Sequence, residues 1–254
     1  MSARANAPTR APTRAHRRAP RPRATSSPSS SSIAYADVVR ERVDALLATR
    51  AQKQKQLLVA VAGPPGGGKS TLAEAVRDAY NARRGRPDAC VVVPMDGFHY
   101  SLEELDARPD ALELRRRRGA PWTFDAHAFA KCVRELRERG FGDVPTFDHA
   151  THDPEPGGLR VVLENEVLLV EGNYVLLPES PWGDLVRDGT YDETWFVDTD
   201  LEEAKRRVIE RHMRVGRSEA EARDRAETND GLNAALVIEQ SRGLADVLIP
   251  CVRM

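Results

Sequence analysis

Gly63-Pro64-Pro65-Gly66-Gly67-Gly68-Lys69-Ser70-Thr71 is the stretch that decides the fold. An apolar run, Leu57 to Ala62, precedes it, and Leu72, Ala73, Ala75, Val76 and Ala79 follow at helical spacing. Strand, glycine loop and helix in that order, with the spacing G-x-x-x-x-G-K-[ST] complete, describe a phosphate-binding loop. The chemistry demands these residue types. Glycines let the backbone curl until successive N–H groups face phosphate oxygens. A helix beginning near Lys69 adds its positive N-terminal end. Lys69 is placed for the β- and γ-phosphates, and the Ser70 hydroxyl for Mg²⁺. A glycine-rich turn that happens to contain Lys-Ser is the bland alternative, and the flanking strand and helix argue against it. The stretch implies a nucleoside triphosphate with Mg²⁺, held by residues Gly63 to Thr71, with Pro64, Pro65, Gly66, Gly67 and Gly68 as the bed of the loop.

Outward from the loop, four more short apolar runs read as strands: Cys90–Met95, Val167–Val170, Trp195–Val197 and Asp246–Ile249. Near-continuous apolar runs of this length fit a sheet buried on both faces, hence a mainly parallel α/β sheet with helices on each side. Ile33 to about Ala51 is helical, with Val38, Val39, Val43, Leu46 and Leu47 near one face. Residues 101–120 read as one charged helix ending in the Arg115–Arg118 run, of which Arg118, beside Gly119 and Pro121, is expected to point inward. Asp125 is expected to cap a helix to about Arg139. The prolines within 145–156 argue for a strand-like loop and, with Leu159–Leu163, a hairpin excursion.

Acids at the C-terminal ends of parallel strands lie on the ligand side of such a sheet. Asp96 is therefore a candidate base or metal-facing acid, or else a cap for the next helix. Glu171 is a candidate for the Mg²⁺ shell. His99, Phe147, His149, His152 and Tyr174 supply ring and imidazole groups near these ends, and with Arg118 form a candidate acceptor pocket. A transition-metal site built on Asp148, His149, His152 and Asp153 is disfavoured, because no closed four-ligand set with zinc spacing is present. Asp200 and Glu203 form a capping-box pattern for a helix carrying Arg206, Arg207, Arg211 and Arg214. Much of that charge can be a solvated face, but Arg211 and Arg214 share one side and can close over a transferred phosphoryl as a mobile lid. Asn229 and Asn233 share a face of the following helix.

The composition sets limits. The 254-residue chain has a net charge of −1, unevenly spread. Residues 1–32 hold seven Arg and no acid, which leaves 31 basic and 39 acidic residues beyond them, a net of −8. An acidic folded part is a poor general nucleic-acid binder. The tail, rich in Ala, Arg, Pro and Ser, carries too little apolar surface to fold, so the folded domain is expected over 33–254. Its composition fits an organelle transit peptide (plastid or mitochondrion) or a low-complexity tail, with the cytoplasm as the remaining location. Three widely spaced cysteines fit a reducing compartment. No apolar run approaches membrane-spanning length. Oligomeric state is not legible.

Taken together, the glycine loop, Met-Asp-Gly-Phe-His at 95–99, Arg-Arg-Gly-Ala-Pro-Trp-Thr-Phe-Asp at 117–125, Phe-Asp-His at 147–149, Val-Glu-Gly-Asn-Tyr at 170–174, Arg-His at 211–212 and Asn-Asp-x-x-Asn at 229–233 resemble the phosphoribulokinase/uridine kinase family, in particular its nucleoside/nucleotide kinase-like and fructose-transport-system-kinase-like branch. The resemblance covers about 57–250. It implies a P-loop NTPase fold with an Arg-bearing lid, and transfer of the ATP γ-phosphoryl to a hydroxyl of a small molecule that is nucleoside-, pantothenate- or sugar-like. It implies that Asp96 is the catalytic base near Mg²⁺, that Glu171 belongs to the magnesium shell, and that Arg211 to Arg217 form the lid. The acceptor hairpin of uridine kinases, Tyr-Asp-Phe-x-x-His, stands here as Phe147-Asp148-His149-Ala150-Thr151-His152, a departure that speaks against uridine itself. The competing reading is a P-loop ATPase or nucleotide-gated binding protein with no small-molecule acceptor.

Overall fold

The computed structural model describes residues 34–148 and 150–251; the N-terminal tail and His149 lie outside the described residues. The elements run α1 Tyr35–Lys53, β1 Leu57–Ala62, α2 Lys69–Arg84, β2 Cys90–Pro94, α3 Leu102–Asp106, α4 Ala111–Arg116, α5 Ala126–Arg139, β3 Gly142–Asp148, β4 Asp153–Val161, β5 Val167–Glu171, α6 Trp182–Arg187, β6 Glu193–Asp198, α7 Leu201–Arg214, α8 Glu219–Arg225, α9 Gly231–Ser241 and β7 Val247–Pro250. Five strands form one parallel sheet in the order β2-β5-β1-β6-β7, and β3 and β4 form a separate antiparallel hairpin.

The sheet is buried on both faces, and β1 shows why its sequence is apolar throughout. Leu57, Val59 and Val61 point to one side, into a core with Val38, Val43 and Leu46 of α1 and Leu72, Val76 and Tyr80 of α2. Leu58, Ala60 and Ala62 point to the other, into a core with Phe129, Val133 and Leu136 of α5, Trp182 and Leu185 of α6, and Val237 of α9. Side chains alternate along a strand, so a strand covered on both faces needs apolar residues at every position.

The register decides where chemistry can occur. Val61 of β1 pairs with Glu171 at the end of β5, and Pro94 at the end of β2 pairs with the same Glu171. The chain leaves β1 into Gly63 and β2 into Met95-Asp96, so the glycine loop, Glu171 and Asp96 emerge along one edge.

Two local expectations need correction. Residues 101–120 form two short helices, because Pro109 cannot continue the first and pushes the residue before it out of helical backbone. At α7 only half of the capping box forms: Asp200 accepts from the Glu203 N–H at 2.9 Å, but the Glu203 carboxylate is taken by Arg206 and Arg207. Asp125 caps α5 as expected, accepting from the Ala128 N–H at 2.8 Å. No helix among the described residues is long and apolar enough to cross a membrane.

At the opposite, N-terminal end of the sheet a nearly buried acid ties four segments together. Asp192 accepts from the Leu58 N–H at 3.1 Å, from Lys53 at 2.9 Å and from Arg137, with Lys55 at 3.2 Å. Burial by itself would raise the Asp192 carboxyl, but the hydrogen bonds from Arg137, Lys53 and Leu58 outweigh it and hold the group well below the usual carboxylate range. A depressed native value means that its stabilisation is complete at neutral pH and is lost as pH falls below about 4, the value for an unfolded Asp. Asp192→Asn is expected to destabilise the fold by about 2–3 kcal/mol at pH 7. Urea unfolding between pH 3 and 7 should show a shallower acid-side loss for the variant than for wild type.

Candidate active site

The phosphate loop is shaped by its glycines. Gly66 has φ +76°, and a Cβ there would lie 2.4 Å from the Ala204 carbonyl oxygen, so only glycine lets α7 seat on the loop. The Gly67 N–H donates to Pro64 O at 2.8 Å, and Thr199 Oγ1 donates to Gly67 O at 2.9 Å, which fixes the curl. Gly68, left-handed at φ 89°, occupies the N-cap of α2 with no side-chain cap. The first N–H groups of this helix are thus unpaired by a cap and available to an anion.

A cavity of about 570 Å³ opens over these amides, lined by Gly66, Gly68, Lys69, Ser70 and Thr71 from below and by Glu203, Arg206, Arg207, Glu210, Arg211 and Arg214 of α7 from above. Pro64 and Pro65 are buried beneath the loop and do not line it. The acids are already committed. Hydrogen bonds from Arg206 and then Arg207 hold the Glu203 carboxyl down to about 2, and Glu210 pairs with Arg206. Arg211 and Arg214 have no ion-pair partner among the described residues. Arg207, read from the sequence as part of a solvated face, is half-buried between Glu203 (2.7 Å) and Cys251 Sγ (3.1 Å), beside Gly68. Its i,i+4 spacing predicts the pair with Glu203, but nothing local signals the contact with Cys251.

Beyond Ser70 lies a second cavity of about 340 Å³, lined by Ser70, Glu74, Val92, Pro94, Asp96, Thr146, Phe147, Gly158, Leu159 and Glu171. Ser70 belongs to both cavities. Asp96 sits in a 3₁₀ turn, Met95–Phe98, just past β2. Gly97 of that turn lets the hairpin come close, since a Cβ there would lie 2.0 Å from Pro145 O. Glu171 is buried, with Lys69 Nζ at 3.6 Å. Burial is the main cause that pushes its carboxyl above the usual range; the Lys69 ammonium opposes the shift and the Asp96 charge adds to it. A hydroxyl and two carboxylates converging beside a phosphate site are hard oxygen donors of the kind Mg²⁺ takes together with phosphate oxygens and water. The first-turn amides, Lys69 and the two unpaired arginines are likewise the donor set a triphosphate requires.

Of the expected acceptor residues among those described, only Phe147 lines this second cavity. His99 is sandwiched between Phe124 and Phe147, with ring centroids 3.9 and 4.9 Å away, and its Nδ1 is 2.8 Å from Asp96 O. It supports the Asp96 turn from behind. Arg118 does point inward, but it is spent on holding the hairpin: it bonds Tyr100 O at 2.9 Å, Asp153 at 3.1 Å and His152 O. His152 is exposed, at left-handed φ 58°, and is not among the lining residues of the second cavity. Tyr174 is a core residue, fully buried against Phe124 and Trp182, with its hydroxyl donating to Gly119 O at 2.5 Å. It cannot reach an acceptor. His149 falls outside the described residues.

Arg117 was not foreseen as the more buried of the arginine pair. It donates to Thr228 O at 3.1 Å and Asn233 Oδ1 at 3.3 Å, while Asn229 Nδ2 donates to Arg118 O at 2.9 Å. Asn229 and Asn233 therefore clamp α9 to the 117–119 turn. The Glu74 contribution to the second cavity was also missed; its signal is a carboxylate four residues after Ser70, on the same helix face.

Gly97→Ala is expected to destabilise the protein by about 1–3 kcal/mol, because the hairpin backbone must move away. Gly243, with nothing within 4 Å of its would-be Cβ, is the matched control. Gly243→Ala should leave the thermal unfolding midpoint nearly unchanged, and the difference between the two variants is the quantity to measure.

With the geometry in place, comparisons with known proteins become informative. The sequence profile of the Phosphoribulokinase / Uridine kinase family matches residues 58–253. A Schizosaccharomyces pombe protein provisionally named uridine kinase C227.14 is 38% identical over 205 residues, covering 79% of this chain and 86% of its own. The uncharacterized protein YggC of Escherichia coli K12 is 33% identical over 191 residues, covering 74% of this chain and 76% of its own. A crystal structure from Silicibacter sp. TM1040, provisionally described as a fructose transport system kinase, superposes with a TM-score of 0.73 at 30% identity, covering 86% of this chain and 100% of that one. Saccharomyces cerevisiae YFH7, provisionally described as a P-loop-containing kinase with a circular permutation, shares the fold at a TM-score of 0.73 and 20% identity, over 85% and 99% of the two chains. The glycine loop, Asp96, Glu171 and the arginine helix all lie inside the matched span, and the chain belongs to the phosphoribulokinase/uridine kinase family of ATP-dependent kinases.

Proposed function

We propose that the protein transfers the γ-phosphoryl of Mg²⁺-ATP to a hydroxyl of a small nucleoside-, pantothenate- or sugar-like metabolite. The observation that carries this reading is the meeting of two cavities at Ser70, a cationic one over the phosphate loop and one beyond it that holds Asp96. A hydrolase needs the first cavity only. A phosphotransferase needs both, with the catalytic acid in the second.

Each group then has a task. The α2 amides and Lys69 hold the β- and γ-phosphates. Ser70, Glu171 and Asp96 would hold Mg²⁺, which would supply positive charge to offset that of the phosphates. Asp96 orients the acceptor hydroxyl and takes its proton. Arg211 and Arg214, uncommitted to any acid, meet the charge that develops on the transferred group. Binding both substrates in adjoining cavities supplies the alignment on which phosphoryl transfer chiefly depends. The Arg- and Ser-rich residues 1–32 support an organelle address for this kinase.

Asp96→Asn is expected to lower acceptor-dependent turnover by about 10²–10⁴-fold with nucleotide affinity largely kept. Lys69→Ala should lose both. The check is ADP release with and without acceptor, alongside titration with a fluorescent ATP analogue. Wild-type turnover by Asp96→Asn would remove Asp96 as the base.

A further inference from the structure

Arg118 is held by two different parts of the chain. Its guanidinium reaches the β3–β4 hairpin, donating to Asp153 at 3.1 Å and to His152 O, and it also donates to Tyr100 O at 2.9 Å. It lies 5.6 Å from the centre of the Phe147 ring, which lines the second cavity. Its main-chain carbonyl is taken by the segment that joins α8 to α9. There it accepts from Asn229 Nδ2 at 2.9 Å and from Arg225 Nη2 at 3.2 Å.

Asn229 is almost fully buried, in the π-helical turn Ala226–Asp230. Single π-helical turns are uncommon and recur at functional positions. The Asn229 amide is oriented by its neighbours. Asn233 Nδ2 lies 3.5 Å from Asn229 Oδ1, and Asn233 Oδ1 accepts from Arg117 Nη2 at 3.3 Å. Arg117 also donates to Thr228 O at 3.1 Å. With its oxygen turned to a donor, the Asn229 amide presents its own NH₂ to the Arg118 carbonyl. From the core, Tyr174 donates to Gly119 O at 2.5 Å. Asn229, Asn233 and Arg117 line neither cavity, so the transfer chemistry does not use them directly. Their buried hydrogen bonds converge on one turn, 117–119.

We infer that Asn229 is a positioning residue for the acceptor: it fixes the 117–119 turn and, through the Arg118 guanidinium, holds the hairpin wall of the second cavity. The inference rests on the transfer reading above and deepens it, since Thr146, Phe147, Gly158 and Leu159 of that hairpin share the cavity with Asp96. The hairpin is attached at two places. On β3, Pro145 O approaches Gly97 so closely that a Cβ there would lie 2.0 Å away. At the start of β4, Asp153 accepts from Arg118 and from the Leu102 N–H at 2.8 Å. The first attachment sets the hairpin against the Asp96 turn, and the second sets how the wall stands over the cavity. Loss of the Asn229 amide leaves Arg225 as the donor to the Arg118 carbonyl, so the turn can shift and carry the wall with it. Alignment of an acceptor hydroxyl with the γ-phosphoryl is sensitive to displacements of that kind.

The test uses the full chain and the variants Asn229→Ala, Asn229→Gln and Arg118→Ala, with Asn229→Ala also placed in the Arg118→Ala background. Hydrogen exchange reads the wall without an identified acceptor. Asn229→Ala is expected to speed exchange of β3 and β4 amides at least about fivefold, with β1 and β5 amides within about twofold of wild type. Affinity for a fluorescent ATP analogue should stay within about twofold, while ADP release stimulated by a mixed pool of nucleosides, sugars and pantothenate falls at least about tenfold. Asn229→Gln, which keeps an amide donor, should lie between the two. Because Asn229 acts through Arg118, adding Asn229→Ala to Arg118→Ala should move either readout by less than about twofold. If Asn229→Ala does not fold, Asn229→Gln carries the comparison in both backgrounds. Hairpin exchange that does not change, exchange that rises equally in β1 and β5, or an undiminished effect in the Arg118→Ala background overturns the inference while leaving the kinase reading intact. If the pool stimulates no ADP release by the wild type, the transfer reading fails and the positioning role falls with it.

Discussion

Parallel pairing of β5 with both β1 and β2 is the constraint on which the site depends. Because Glu171 is the partner of Val61 on one side and of Pro94 on the other, its carboxylate emerges where the glycine loop and the Asp96 turn begin. No loop has to travel to assemble these groups. A shift of register would separate them, and register is held firmly because every strand residue of β1 and β5 is buried. The apolar sequence of the core strands is thus what positions the charged residues at their ends.

From that edge the chain builds two chambers around Ser70. Uncapped helix amides and arginines of α7 make one of them suited to phosphate. Buried Glu171, together with Asp96, makes the other suited to a hydroxyl. The closeness of Lys69 to Glu171 keeps the charges balanced at the boundary. Buried charges of one sign are costly alone, and their pairing across the boundary explains how so many ionisable groups coexist in a small volume. The hairpin closes the second chamber, and Gly97, His99 and Arg118 fix its position.

The fold was largely legible because its signals are local. The glycine loop has a spacing dictated by phosphate geometry, and the buried strands are short apolar runs. The strand-end acids follow from the same pattern. The acceptor side was legible only in part. Phe147 and Asp96 line the second cavity, but His99, Arg118, His152 and Tyr174 carry the same functional groups whether they face a cavity or support its wall, and only packing separates the cases. Tyr174 follows an acid at a strand end, yet its ring turns into the core and its hydroxyl is spent on Gly119. Glu74 and Arg207 were missed for the opposite reason. Each looks like ordinary charge on an amphipathic helix, and its place at the site arises from an element distant in sequence: the hairpin for Glu74, and the loop with Cys251 for Arg207.

The central claim is that phosphoryl moves to an organic acceptor and not to water. The most direct measurement is to supply γ-³²P-labelled ATP together with a mixed pool of metabolite alcohols and to separate the products by chromatography. The account predicts label in a small organic phosphate, absent when Lys69→Ala replaces the wild type. Label recovered only as inorganic phosphate, at a rate the metabolite pool does not change, would contradict it.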